Sequence, residues 1–230
     1  MINKPAINCA SAIIFEDITK SSDTFLKKCL ESLDGSEINR VAKIKKIEKQ
    51  QQFAVSRFLM KQTVKQKLAV PITINLLPTG KPYIPEWLIF CSISHSGNSI
   101  AVAFSTYSDI GIDIEIHRKR NFEKLVKNYF HPNEIETFNA LEESNTLVWF
   151  YTHWTLKEAM AKIKGEGISQ YSLSKRTNTT YKLLEQMCIS RNNYSLSCVH
   201  YSKHPIQLEI ATPLDSAPWI ELTNVTSNVG

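Results

Sequence analysis

The sequence predicts an α+β fold made of two similar halves that meet near residue 110. Three observations support this prediction. A basic segment with helical spacing of apolar residues precedes a group of strand-like segments, and helices followed by strands return after residue 116. The length of 230 residues suits one large domain or two of about a hundred residues each. The predicted units are an N-terminal half over 1–109, a C-terminal half over 110–218 and a flexible tail over 219–230.

Composition indicates a chain with an ordinary hydrophobic core. Hydrophobic residues make up 43% and charged residues 21% of the sequence. No apolar run approaches the roughly 20 residues that span a membrane, and the first residues are unlike a signal peptide. The five cysteines are scattered without a C-x-x-C pair, which favours reduced thiols in the cytoplasm over disulfides or zinc. The net charge of +5 favours acidic partners or phosphorylated ligands and does not require nucleic acid.

The N-terminal half is predicted to run from one strand through helices to a group of strands. A strand is expected in "SAIIFEDIT", a helix over 22–33, and a basic helical region over 36–68 that Pro71 ends. The stretch "ITINLLPTGKPYI" predicts a strand and a turn marked by Pro78, Gly80 and Pro82. Three successive strands are expected in "IFCSISHSG", "SIAVAFS" and "IGIDIEIH".

The C-terminal half is predicted to begin with three helices. These lie in "RNFEKLVKNYF", in "HPNEIETFNAL" with Pro132 in its first turn, and in "NTLVWFYTHWTLKEAMAKIKG", which Gly165 ends. Two further strands are expected in "YSLSCVHYS" and "IQLEIAT".

Two carboxylates interrupt the apolar run "GIDIEIH" at residues 111–117. Since strand side chains alternate between faces, Asp113 and Glu115 point the same way and the isoleucines between them point the other way. Like charges so close together repel unless something neutralises them. A divalent cation held by oxygen ligands would do so, whereas a D-x-E by itself is also typical of an exposed strand face.

A third carboxylate lies on the strongest predicted helix. Trp154, Glu158 and Lys162 are spaced four residues apart and share one helix face. A glutamate and a lysine at this spacing are often only a surface ion pair. Together with two strand carboxylates, however, a helix carboxylate can form a site for a hard cation such as Mg²⁺.

Two further segments suit the binding of phosphate oxygens. Gly80 and Pro82 set up a turn that presents Lys81, and hydroxyls and an imidazole follow on the next strand in "SHS" at 94–96. The basic helical region adds cations that include Arg40 and Lys43. Each segment taken alone also has an ordinary structural explanation, a solvated turn or a solvated charged face.

The order of these segments resembles one enzyme family. G-K-P, S-h-S-H-S, G-I-D-I-E and W-x-x-K-E-A-x-x-K-x-x-G-x-G follow one another as in the 4′-phosphopantetheinyl transferases, and the chain is similar to their long, surfactin-synthetase-activating type. The resemblance runs from about Arg40 to Leu173 and is strongest over 80–97 and 111–167. It implies two similar α/β halves related by a pseudo-twofold axis, with the active site and coenzyme A in the cleft between them. The long type is normally a monomer, which is expected here as well.

The resemblance also implies a reaction and a set of site residues. The phosphopantetheine arm of coenzyme A is transferred to a serine of an apo acyl or peptidyl carrier protein, and adenosine 3′,5′-bisphosphate is released. Mg²⁺, or Mn²⁺ in its place, would bind Asp113, Glu115 and Glu158. Glu158 is also the candidate general base, directly or through a water on the metal, and Lys162 would stabilise the leaving group.

Coenzyme A itself would contact residues of the N-terminal half. By the same resemblance these are Lys81, Ser94 and His95, with Arg40 and Lys43 in a looser match to the first basic cluster of the family. Glu134 matches an F-x-x-x-E element and is equally suited to capping a helix. Trp154 is expected to be a core anchor. Ser92 stands where many members have asparagine, and either residue can form a hydrogen bond.

Two alternatives use the same residues. One is another magnesium-dependent enzyme that cleaves a pyrophosphate or phosphodiester and ignores carrier proteins. The other is a non-catalytic module that binds coenzyme A or RNA. The basic helix lacks the interleaved aromatic residues that stack on bases, and a binding module has no need of the clustered carboxylates. We therefore favour the transferase, acting in the cytoplasm on an acidic carrier protein, without nucleic acid or membrane as a partner.

Overall fold

Helices and strands follow one another in the described part of the chain largely as the sequence predicts. The computed structural model describes residues 9–69, 72–165, 185–191, 193–218 and 220–224. The helices are α1 (Asp23–Glu31), α2 (Gly35–Val41), α3 (Ile47–Leu68), α4 (Phe122–Tyr129), α5 (Pro132–Asn139) and α6 (Glu143–Lys164). The strands are β1 (Ala10–Phe15), β2 (Asn75–Leu76), β3 (Pro82–Ile84), β4 (Ile89–Ser96), β5 (Ser99–Ser105), β6 (Ile110–Ile116), β7 (Glu185–Arg191), β8 (Tyr194–His200), β9 (Gln207–Pro213) and β10 (Ile220–Asn224). Each helix in these residues is too short or too polar to span a membrane.

The strands form two sheets, which confirms the predicted α+β class. The large sheet has the order β10-β9-β1-β5-β4-β3-β2, and the small sheet has the order β6-β8-β7. Only the pairing of β1 with β9 is parallel among the described strands. One core, which includes Phe25 and Phe58, packs helices α1 and α3 against the large sheet. A second core, which includes Ile14, Ile112 and Leu196, lies between the two sheets and brings β6 against β4.

Helix α6 lies directly on the small sheet, and a glycine makes this close approach possible. A Cβ atom added to Gly111 on β6 would lie 2.0 Å from the carbonyl oxygen of Ala159 on α6. No side chain can occupy that space, so the backbone of α6 contacts the backbone of β6 at this point. Glu158 directly precedes Ala159 on the helix, and Asp113 lies two residues after Gly111 on the strand. The close approach therefore brings these two carboxylates together.

The basic region predicted over 36–68 is two helices rather than one. Helix α2 begins with a capping box between Asp34 and Glu37 and ends at Val41, and α3 begins only at Ile47. In the connection between them, the carbonyl of Ile44 accepts a hydrogen bond from the side chain of Gln50 on α3 at 2.8 Å. That bond satisfies a backbone group where the chain leaves helical geometry. The apolar spacing continues across the connection, which is why periodicity alone did not reveal the break.

The C-terminal segment departs from its prediction. Residues 220–224, which were expected in a loose tail, form β10 at the edge of the large sheet, so the prediction is wrong for these residues. Strand β9 pairs with β1, so the C-terminal half contributes two strands to the sheet of the N-terminal half. The predicted boundary at 109/110 coincides with the start of β6, but the halves do not have separate sheets. Residues 225–230, Pro71 and the end of the family resemblance from 166 to 173 lie outside the described residues.

Candidate active site

Three carboxylates converge where α6 crosses β6. One oxygen each of Asp113, Glu115 and Glu158 can be chosen so that all three lie within 4.8 Å of one another. The predicted alternation along β6 is confirmed, because Ile112 and Ile114 face the core between the sheets and are buried. The two strand carboxylates therefore face away from that core and toward the helix carboxylate.

Serines of β4 hold the two strand carboxylates in position. The Ser94 hydroxyl donates a hydrogen bond to Asp113 Oδ1 at 2.7 Å, and the Ser96 hydroxyl donates one to Glu115 Oε2 at 2.8 Å. These serines are two residues apart on one face of β4, as the carboxylates are on β6. The spacing of the hydroxyls thus matches that of the carboxylates.

The same row of serines also binds the free edge of β6. The Ser92 hydroxyl accepts a hydrogen bond from the backbone N–H of Ile112, and the Ser96 hydroxyl accepts one from Ile116, both at 3.1 Å. Side chains of β4 thereby occupy backbone groups that a further strand would otherwise pair with. The hydroxyl of Ser92 thus forms a hydrogen bond, as either serine or asparagine can at this position.

Lys162 supplies a positive charge beside the carboxylates. Its ammonium group donates to Asp113 Oδ1 at 2.8 Å and to the carbonyl of Ile112 at 2.9 Å. It lies one helical turn beyond Glu158, so the predicted shared face of α6 is confirmed. One ammonium among three carboxylates leaves an excess of acidic groups.

This crowding changes the pKa values of two carboxylates. Burial, followed by the nearby charge of Asp113, raises the pKa of Glu158 to about 8, and Lys162 opposes that shift. Burial also raises the pKa of Glu115, an effect that the hydrogen bond from Ser96 opposes and Asp113 reinforces. Desolvation and like charges both disfavour the ionised forms, so a cation at this point would relieve both.

The donor set fits a hard divalent cation. Asp113 Oδ2 is buried and has no hydrogen-bond partner among the residues that the structure describes. As an ionised carboxylate oxygen it can only accept. A buried acceptor without a donor costs free energy, and a cation would supply the missing partner. Three carboxylate oxygens at this separation are the ligands that Mg²⁺ and Mn²⁺ prefer, with positions left for other oxygens.

Lys81 lies on the predicted turn, where Gly80 adopts a φ of 84°. Its ammonium group binds Asp109 Oδ1 at 2.6 Å and the carbonyl of Ile163 at 2.9 Å, so the lysine ties this turn to the last turn of α6. Next to it is a cavity of about 230 Å³ that Lys162 also lines. The two lysines therefore share one cavity, although the sequence did not predict that Lys81 pairs with Asp109.

His95 lies between the two serines of β4 that hold the carboxylates and, because side chains alternate, points away from them. It is accessible to solvent. Partial burial, followed by the positive charge of Lys49 on α3 and then of Lys162, lowers its pKa. A neutral imidazole near two ammonium groups can donate to or accept from a ligand.

Arg40 and Lys43 are exposed on α2 and the connection that follows it. The Arg40 guanidinium lies over the Phe53 ring at 5.4 Å from its centroid. Among the described residues, no ion pair joins either side chain to the three carboxylates.

Glu134 and Trp154 support helix α6 from outside the site. Glu134 forms the predicted cap, a capping box with His131, and its carboxylate also lies 2.7 Å from the ammonium of Lys157, with both side chains buried. Trp154 packs among aromatic residues that include Phe130, as expected of a core anchor. The ion pair joins α5 to α6 next to Glu158 and was not predicted from the sequence.

Two other contributors to the site were missed. The close approach at Gly111 and the hydrogen bond from Ser96 to Glu115 both escaped the sequence analysis. Signals for both exist in the sequence: a glycine at the start of an isoleucine-rich strand, and serines at every second position from 92 to 96.

Comparison with known proteins identifies relatives of this chain. The family model of the 4′-phosphopantetheinyl transferase superfamily matches residues 109–210 of this chain. A putative 4′-phosphopantetheinyl transferase of Synechocystis is 30% identical over 60% of this chain and 58% of its own length. The 4′-phosphopantetheinyl transferase AcpT of Escherichia coli K12 is 31% identical over 63% of this chain and 71% of its own length. For the transferase Sfp of Bacillus subtilis, the identity is 35% over 39% of this chain and 40% of Sfp.

Proposed function

Because the chain belongs to the 4′-phosphopantetheinyl transferase superfamily, we propose that it transfers the 4′-phosphopantetheine moiety of coenzyme A to a serine of an apo acyl or peptidyl carrier protein. The products are the holo carrier protein and adenosine 3′,5′-bisphosphate. The observation that carries the proposal is the convergence of Asp113, Glu115 and Glu158 beside Lys162. Phosphoryl transfer depends on positioning and on stabilisation of charge, and this cluster offers both.

In the proposed step the serine oxygen attacks the β-phosphorus of coenzyme A. A bond forms between these two atoms, and the bond from that phosphorus to the oxygen that bridges the two phosphates breaks. The serine proton goes to Glu158, directly or through a water. The bridging oxygen leaves with the adenosine bisphosphate, and the ammonium of Lys162 offsets the negative charge that develops on it.

Mg²⁺, or Mn²⁺ in its place, is the proposed metal, with Asp113, Glu115 and Glu158 as its ligands. When bound, the ion would neutralise charge on the pyrophosphate oxygens. The unpartnered Asp113 Oδ2 and the hydrogen bonds that orient Asp113 and Glu115 support this assignment.

We propose that the adenosine end of coenzyme A enters the cavity of about 230 Å³ beside Lys162. Lys81 would release Asp109 and bind a phosphate of coenzyme A. Ser94 and His95 of β4 would also contact coenzyme A. Arg40 and Lys43 would bind a phosphate of coenzyme A. Their exposure and positive charge support this role.

We also propose that the two parts of the chain have different tasks. Residues 1–109 would supply the coenzyme A contacts, and 110–218 the metal site and the catalytic helix, in two halves related by a pseudo-twofold axis. The order of motifs supports the long, surfactin-synthetase-activating type acting as a monomer. The five cysteines are free thiols, which supports a role in the cytoplasm.

The test is a transfer assay read by the intact mass of the carrier protein. The protein is mixed with coenzyme A, Mg²⁺ and a panel of apo carrier proteins, beside a sample with EDTA and the Glu158→Ala variant. We expect the carrier mass to rise by one phosphopantetheine arm in the complete reaction only. Hydrolysis of coenzyme A without any gain in carrier mass would contradict the transferase proposal and indicate an enzyme that cleaves the pyrophosphate of coenzyme A.

A further inference from the structure

A second and larger cavity, of about 750 Å³, lies at the ends of several strands. The turn between β4 and β5 lines it with Gly97 and Asn98, and the chain after β6 lines it with Arg118. Lys20, after β1, and Arg191, at the end of β7, complete its positively charged wall. None of these residues lines the cavity beside Lys162.

The two cavities flank the carboxylate cluster along β4. Ser92 lines the smaller cavity, Ser94 and Ser96 hold the carboxylates, and Gly97 lines the larger one. A strand rises about 3.3 Å per residue, so Ser92 and Gly97 are roughly 16 Å apart. Along β6 and the residues after it, Asp113 of the cluster likewise precedes Ile116 and Arg118, which line the larger cavity. One cavity therefore opens on each side of the cluster.

The chemistry of the proposed transfer gives the two sides different roles. In phosphoryl transfer the attacking and leaving oxygens lie roughly in line, on opposite sides of the phosphorus. Lys162, which would stabilise the leaving bisphosphate, lines the smaller cavity. The serine must then approach from the side of the larger cavity. We propose that the larger cavity is the docking site for the acidic segment of the carrier protein around the target serine, an inference that rests on the proposed transferase function.

The charges in the cavity suit an acidic partner. Arg118, Arg191 and Lys20 are all exposed. The two acidic residues of the wall are engaged within the chain: Glu16 accepts from the Tyr194 hydroxyl at 3.1 Å and lies 3.8 Å from Arg191, and Asp17 caps the turn at 18–20. The three cations of the wall outnumber its two carboxylates, and such a surplus of positive charge attracts an acidic helix.

Arg118 is held ready for this role by the fold. Its backbone N–H donates to the hydroxyl of the buried Tyr151 at 3.0 Å, and that hydroxyl donates to the Arg118 carbonyl at 3.1 Å. A Cβ atom on Gly97 would lie 3.7 Å from Arg118 Nη2, so the guanidinium extends over the turn that borders the cavity. The fixed backbone keeps this cation at the wall of the cavity.

The experiment compares two double variants with the same change of charge. Arg118→Ala with Arg191→Ala removes two cations from the cavity wall. Lys27→Ala with Lys203→Ala, the control, removes two exposed cations elsewhere. Steady-state transfer is measured against the concentration of the carrier and, separately, of coenzyme A, after thermal melts establish that both variants are folded.

We expect the first variant to raise the KM for the carrier about tenfold, with kcat and the KM for coenzyme A within about twofold of wild type. The KM for the carrier should also depend less steeply on salt in this variant. The control should match wild type. An unchanged KM for the carrier overturns the proposal. A rise in the KM for coenzyme A, without a rise in the KM for the carrier, also overturns the proposal. That result would assign the cavity to the pantetheine arm of coenzyme A.

A direct binding measurement separates this proposal from the proposed function. The affinity of a fluorescently labelled apo carrier is measured by anisotropy with wild type and with the Arg118 and Arg191 variant. If wild type loads no carrier in the transfer assay, the transferase function fails. Loss of carrier affinity in the variant would still support the docking site, whereas equal affinity, or none in either protein, would refute it.

Discussion

Gly111→Ala tests how closely α6 must approach β6. The added Cβ would lie 2.0 Å from the Ala159 carbonyl oxygen and 3.0 Å from Ile163 Cγ1. To restore even a tight 3.0 Å contact with a backbone oxygen, the helix and the strand must separate by at least about 1 Å. The bonds of 2.8 and 2.9 Å from the Lys162 ammonium to β6 would then exceed hydrogen-bonding distance.

The expected losses are about 1–3 kcal/mol in the free energy of unfolding and about 100-fold in kcat/KM, because a displacement near 1 Å costs about that much in a site that depends on positioning. Transfer kinetics by intact mass and urea denaturation measure the two quantities. Gly35→Ala is the matched control, because a Cβ there meets no atom of the described residues within 4 Å. Wild-type stability and kinetics in the Gly111 variant would refute the argument that this glycine is required for the close approach.

Three further predictions concern groups around the site. Because the pKa of Glu158 is raised from 4.5 to about 8, the metal-free folded protein holds a proton that the unfolded chain releases, so the free energy of unfolding in EDTA should fall between these pH values. Glu158→Gln should flatten that slope in urea titrations, and an equal slope in both proteins would contradict the assignment. Glu134→Ala should cost about 3 kcal/mol by removing the partner of a buried lysine. The exposed Glu136→Ala should change stability by less than about 0.5 kcal/mol, and similar losses in the two variants would argue against the ion pair. Ser96→Ala should weaken Mn²⁺ binding, measured by electron paramagnetic resonance, about tenfold because Glu115 loses its orienting donor, and unchanged affinity would exclude that role.

Local periodicity was enough to predict most elements and the chemical centre. The period of two along β6 put Asp113 and Glu115 on one face, and the period of about four along α6 aligned Glu158 with Lys162. Both patterns depend only on backbone geometry within one element, so they hold wherever that element packs. The order of the motifs along the chain then indicated the family, which the comparisons show.

Contacts between distant segments were decided only by the tertiary structure. The pairing of β9 with β1, the strand at 220–224, the ion pair of Lys81 with Asp109 and the contact at Gly111 each join residues far apart in the chain. Their energies depend on burial and on the exact approach of packed backbones, which periodicity does not describe. The sequence by itself therefore determined which groups the site contains, and the packing of α6 and β4 against β6 determined their distances and partners.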